Sequence, residues 1–103
     1  MNIYRQGDVL LVQLDTDTPD GTAIPRENGK IVLAHGEVTG HAHAITEPAV
    51  QFVESADGNR YLVSDVPFTV RHEEHAPVSA PAGTFRVIRQ REYTPAEIRR
   101  VAD

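Results

Sequence analysis

The stretch Gly36–Ile45 reads G-E-V-T-G-H-A-H-A-I. Its polar and small residues alternate with the period of two that a β-strand imposes on its faces. In an extended chain Glu37, Thr39, His41, His43 and Ile45 share one face, and Val38, Gly40, Ala42 and Ala44 share the other. The second face is small and apolar and suits close packing. The first is polar in its middle, an uncommon pattern for a strand in so small a domain. It aims two imidazoles, His41 and His43, at one point.

Outward from this strand, the chain keeps reading as short strands separated by turns. Ile3–Arg5 and the apolar run Asp8–Leu14 precede it. A polar loop over Asp15–Gly29 then carries the turn signals T-P-D-G and E-N-G, with Ile24-Pro25 as a short edge piece. Lys30–His35 is the next strand. Beyond it, Val50–Glu54 and Arg60–Ser64 flank S-A-D-G-N, the clearest hairpin signal in the chain. Pro67 opens a strand in which Phe68, Val70 and His72 share a face, so His72 is expected to point toward the core with its two apolar neighbours. Ala80–Gly83 is a turn, and Thr84–Glu92 is the last strand, with Phe85 and Val87 on one face. Thr94-Pro95-Ala96-Glu97 has the parts of a capping box and predicts one short helix over Pro95–Ala102. Seven or eight short strands and one C-terminal helix predict an all-β barrel or sandwich, a single domain over residues 1–103.

Composition narrows the chemistry. Cysteine is absent, which removes disulfides, thiolate catalysis and cysteine-held metals, so a metal would be held by nitrogen and oxygen. The net charge of −5 opposes broad nucleic-acid binding. The late arginines, Arg86, Arg89, Arg91, Arg99 and Arg100, read as a solvated strand and helix face. No apolar run approaches the ~20 residues that span a bilayer, and the N-terminus has no signal-peptide core, so a cytoplasmic location is expected. There is no G-x-S-x-G elbow, no phosphate-cradling glycine loop before a helix, and no H-E-x-x-H.

Four of the five histidines fall in two tight pairs, His41-x-His43 and His72-x-x-His75, with Glu47 four residues after the first pair. Neutral imidazole ligates zinc, iron, nickel and copper, and a strand-borne His-x-His arrives with two ligands already oriented. The expected site is a divalent-metal centre on His41, His43 and His72, with His75 or Glu47 as the further ligand. Three protein ligands leave a catalytic, open position, whereas four make a closed structural site. The competing expectation is a hydrogen-bonded His/Glu network or a set of exposed histidines without metal. His35 reads as a strand-end residue. Glu73 and Glu74 read as a solvated pair, or as carboxylates orienting His72 or His75.

Gly36, His41, His43 and Glu47 resemble the first cupin motif, a glycine followed by His-x-His and a glutamate, with a gap one residue shorter. Pro81-Ala82-Gly83 resembles the Pro-x-Gly of the second motif, with Arg86 where that motif places a histidine. The resemblance implies a small β-barrel holding a divalent metal such as zinc, iron, manganese or nickel, and pairing into a homodimer. In such a protein the metal would activate a small oxygen-rich substrate. A second resemblance spans nearly the full length. A set of small bacterial and phage proteins shares the stretches found here at Tyr4–Leu11, Gly36–His43, His72–Pro77 and Gln90–Pro95. It implies kinship without a function, and leaves open a non-enzymatic accessory or interaction module of a phage or mobile element.

Overall fold

The computed structural model describes residues 2–16, 19–36 and 40–90. They form ten short strands: β1 (Ile3–Gln6), β2 (Val9–Leu14), β3 (Thr22–Ala23), β4 (Ile31–His35), β5 (Ala42–Ile45), β6 (Gln51–Glu54), β7 (Arg60–Ser64), β8 (Phe68–Val70), β9 (Val78–Ala80) and β10 (Gly83–Arg89). All pairings are antiparallel. Six strands make one sheet in the order β1-β2-β10-β7-β6-β3, and β4-β5 and β8-β9 form two further ladders. The described residues contain no helix, and hence none long and apolar enough to cross a membrane. The helix expected over Pro95–Ala102 lies outside them.

The all-β expectation holds at this level; closure into a barrel is not among the described pairings. The strand count rises to ten because two very short strands escape a pattern search. β3 has two residues, and β9 has three, set between Pro77 and Pro81. The strand expected over Glu37–Ile45 begins only at Ala42, because Gly40 adopts a left-handed φ of 87° that breaks the extended chain. Residues 37–39 lie outside the described set. Two of the turn signals are realised, E-N-G and S-A-D-G-N, while residues 19–21 of T-P-D-G form no turn. Asn28 and Gly29 both have positive φ, as a type I′ hairpin turn requires, and Glu27 bridges Lys30. Asp57 accepts from the Asn59 amide at 3.1 Å inside the β6–β7 turn.

One core fills the space between the large sheet and the two ladders. The sheet contributes Val9, Leu11, Phe52, Leu62, Phe85 and Val87, while the ladders contribute Ile31, Leu33, Ile45, Phe68, Val70 and Ala80. Phe85, at the centre, packs edge-on against both Phe68 (5.4 Å between centroids) and Tyr4 (5.9 Å).

The inward-facing rows of the sheet change character along the strands. Tyr4, Leu11 and Val87 are aligned across β1, β2 and β10, and the next row on that face is Gln6, Val9 and Arg89. The core therefore turns polar at one end of the sheet. Of the ladders, β5 meets the end of β8 through a reciprocal backbone pair: the Ala44 and Arg71 amides each donate to the other's carbonyl at 2.9 Å. That single bridge sets the register of the two histidine pairs.

Candidate metal centre

In an antiparallel register, residues on either side of a bridged pair face each other. From Ala44–Arg71 the partners are His43–His72, Ala42–Glu73 and His41–Glu74, and the contacts follow this order. The His43 and His72 rings lie 4.5 Å apart. A Glu73 oxygen accepts from the Ala42 amide at 2.9 Å, and this bond holds its carboxyl below the usual range. His41 Nδ1 meets a Glu74 oxygen at 3.5 Å. The bend after His72 then carries His75 back over the pair, with its ring 4.6 Å from His72 and stacked on His43 at 5.7 Å.

His43, His72 and His75 form the cluster. One ring nitrogen from each lies within 4.8 Å of the others, and the three pass from buried through half-buried to exposed. An ion held at the ~2.0–2.1 Å of a zinc–imidazole bond needs ligand atoms about 3.4 Å apart, so a small side-chain adjustment closes the triad. His41 stands beside it, 5.8 Å from the His72 ring, and falls outside that cluster. Glu47 is not brought to the histidines. It lies four residues along β5's line from His43, toward the opposite end of the ladder. There one carboxylate oxygen accepts from the Thr69 amide at 2.9 Å, and the other is buried without a partner among the described residues. Its main-chain carbonyl accepts from Arg26.

Three residues outside the histidine motifs, Gln6, Asp8 and Arg89, support the cluster. Gln6, only 4% exposed, donates from Nε2 to the carbonyls of Val70 and Ala76, both at 2.9 Å. Its Oε1 therefore faces His43 Nδ1, at 2.8 Å. An amide oxygen only accepts, so Nδ1 carries the proton and Nε2 of neutral His43 is left as a bare lone pair. Burial pushes the His43 pKa below its ordinary value and so favours the neutral ring, and repulsion between His43 and His72 when both are protonated works the same way. Asp8 places Oδ1 3.4 Å from that Nε2, and Arg89 binds Oδ2 through Nε at 3.1 Å. Burial raises the Asp8 pKa, but the hydrogen bond and charge of Arg89 outweigh it and leave the net shift downward. Arg89, expected on a solvated face, thus points into the site and also donates to the His35 carbonyl at 2.9 Å. Arg86 remains exposed, as expected of it.

Gly7 is the fourth supporting residue. With Asp8 it makes the two-residue β1–β2 turn, and its φ of 59° is the left-handed value glycine accepts freely. A Cβ there would stand 2.9 Å from His75 Nε2 and 3.3 Å from His43 Cε1. The turn is pressed against the rings and has no room for a side chain. The missed signal lay in Tyr4–Leu11, where Gln6 interrupts an otherwise core-facing position and Gly7-Asp8 is a tight-turn pair.

All five histidines line one cavity of about 360 Å³, together with Gly7, Asp8, Glu74 and Arg89. His35 is the outermost, at the end of β4 and 3.2 Å from a Glu27 oxygen. One contact works against a metal. The Glu74 amide donates to His72 Nδ1 at 3.0 Å, so neutral His72 carries its proton on Nε2. His72 can ligate through Nε2 only after that proton moves to Nδ1 and the Glu74 amide is released.

The model of a family described as a domain of unknown function, DUF8820, matches residues 5–90. That span contains the whole cluster and its supports. No curated protein and no solved structure matches the chain.

Proposed function

We propose that this chain, which belongs to the DUF8820 family, binds one divalent transition-metal ion through His43, His72 and His75. The observation that carries the reading is the triad itself. Three imidazole nitrogens lie within 4.8 Å of one another, and the ring of the buried member is oriented by Gln6 with Nε2 free. Ligating histidines characteristically donate their other N–H to a fixed acceptor in this way, which sets tautomer and aim. Imidazole ligands suit zinc, iron, nickel or copper better than calcium, magnesium or manganese.

The triad opens on the cavity, which favours a reactive centre over a sealed structural one. Bound there, the ion would act as a Lewis acid on a small oxygen-rich ligand. This is chemistry of the cupin kind, and a cupin-like barrel, a cytoplasmic location and a homodimer belong to the same proposal. The second reading is a metal-free interaction module of a phage or mobile element, in which the histidines form a polar network. The Glu74 amide bond to His72 Nδ1 favours it, because that bond satisfies the ring without an ion.

Elemental analysis of tag-free protein separates the two. The metal reading expects close to one equivalent of a transition metal, lost in the His43→Ala/His72→Ala variant. Protein that is metal-free as purified, and whose melting temperature is indifferent to both chelator and added zinc, sinks it.

A further inference from the structure

We propose that Asp8 is the one oxygen ligand of the centre and joins the three histidines in a four-ligand set whose cavity side stays open to a fifth, exchangeable ligand. This rests on the metal reading above. One contact of neutral His43 is unfavourable as it stands. Gln6 Oε1 accepts from His43 Nδ1–H, so Nε2 of the neutral ring presents a lone pair. That lone pair faces the Asp8 carboxylate oxygen at 3.4 Å. Two acceptors facing each other beside a buried ring repel unless a proton or a metal cation lies between them. The spacing suits a metal cation: two ligand atoms each ~2.0–2.1 Å from an ion and at a near-tetrahedral angle are about 3.4 Å apart.

The surroundings of Asp8 are those of a ligating carboxylate rather than of a surface charge. Arg89 Nε holds Oδ2, leaving Oδ1 to the cavity. The main chain is held as well, since the Gln90 amide donates to the Asp8 carbonyl at 2.9 Å. Gly7 brings the turn close enough for its backbone to lie against His75 and His43. Asp8 sits on the His43 side of the triad, so ligation takes a rotation of its side chain toward His72 and His75. The rival fourth ligands are placed less well. His41 Nδ1 is turned to Glu74, and Glu47 is bound to the Thr69 amide. A three-nitrogen, one-oxygen set selects borderline ions such as zinc, cobalt(II), iron(II) and nickel(II), and excludes calcium and copper(I).

Cobalt(II) is the probe, titrated into chelator-stripped, tag-free full-length protein, because its visible absorption reports ligand set and geometry. The wild type is expected to take up one equivalent with a defined visible spectrum. Asp8→Asn is expected to lose affinity by roughly tenfold or more and to change that spectrum, Asp8→Glu to recover part of both, and His41→Ala to bind as the wild type does. Asp8→Asn that keeps wild-type affinity and spectrum overturns the proposal and leaves the triad standing. Wild type that takes up no cobalt(II) overturns the metal reading itself, and this proposal with it. Should the Asp8 variants fail to fold, aspartate-labelled wild type decides. The Asp8 methylene protons are expected far outside the diamagnetic range when cobalt(II) is bound, and unshifted resonances reject the ligand role.

Discussion

The two ends of the interior are built on opposite principles. Around Phe85, Leu62 and Ile45, all fully buried, the chain is held by non-directional apolar contact. Around His43, 3% exposed, burial is as deep, but the partners are an amide, a carboxylate and two other imidazole rings. The first end tolerates any filler of the right volume; the second tolerates only particular atoms in particular places. A core-facing row in which Tyr4 and Val87 give way to Gln6 and Arg89, two residues along their strands, marks where packing gives way to chemistry.

The comparison can be broken hardest at the apolar end. Phe85→Ala removes the ring between Tyr4 and Phe68 and should cost about 3–5 kcal/mol in urea unfolding, with or without metal. At the polar end Gln6→Leu, close in size, strands the Val70 and Ala76 carbonyls and His43 Nδ1. It should cost roughly 2–3 kcal/mol and weaken metal binding by about 10–100-fold, an effect Phe85→Ala lacks where it still folds. Gly7→Ala should cost about 1–2 kcal/mol from its left-handed backbone alone. It should further weaken metal binding, because the new methyl meets His75 Nε2. Isothermal titration with zinc, run beside the unfolding curves, checks both.

The gentlest probe is pH, applied to chelator-treated protein. Burial lowers the folded His43 pKa below 6.5, so the unfolded chain binds more protons in the region just under that value. The contribution of neutral His43 to stability is complete above pH 6.5 and declines as pH falls below it. Urea midpoints measured across that range should drop more steeply for the wild type than for His43→Gln. Equal slopes would show that His43 is not held neutral.

Short-range pattern made much of this readable. Alternation placed Phe68, Val70 and His72 on one face, and Asp57-Gly58 and Asn28-Gly29 marked real turns. Alternation also gave His41 and His43 a common face. The cross-strand register, which no local pattern contains, then set His41 against Glu74 and His43 against His72. His75 enters through a bend, and Gln6 and Asp8 enter from a turn far from the second histidine pair in sequence. Strands of two or three residues, such as β3 and β9, are too short to show a period at all. What spacing could not reveal was therefore the long-range half of the site.

Gln6 has a further consequence, in the kinetics of folding. Its amide ties residue 6 to Val70 and Ala76, closing loops of 64 and 70 residues. Closing loops of that length carries an entropic cost that must be met before the contact returns any stabilisation. Those bonds are expected to form after the local β6–β7 and β4–β5 hairpins. Removing them should leave the refolding rate nearly unchanged and speed unfolding. The histidine cluster would then be the first part of the molecule to open and the last to close, so a metal ion there would act chiefly on how long the chain stays folded.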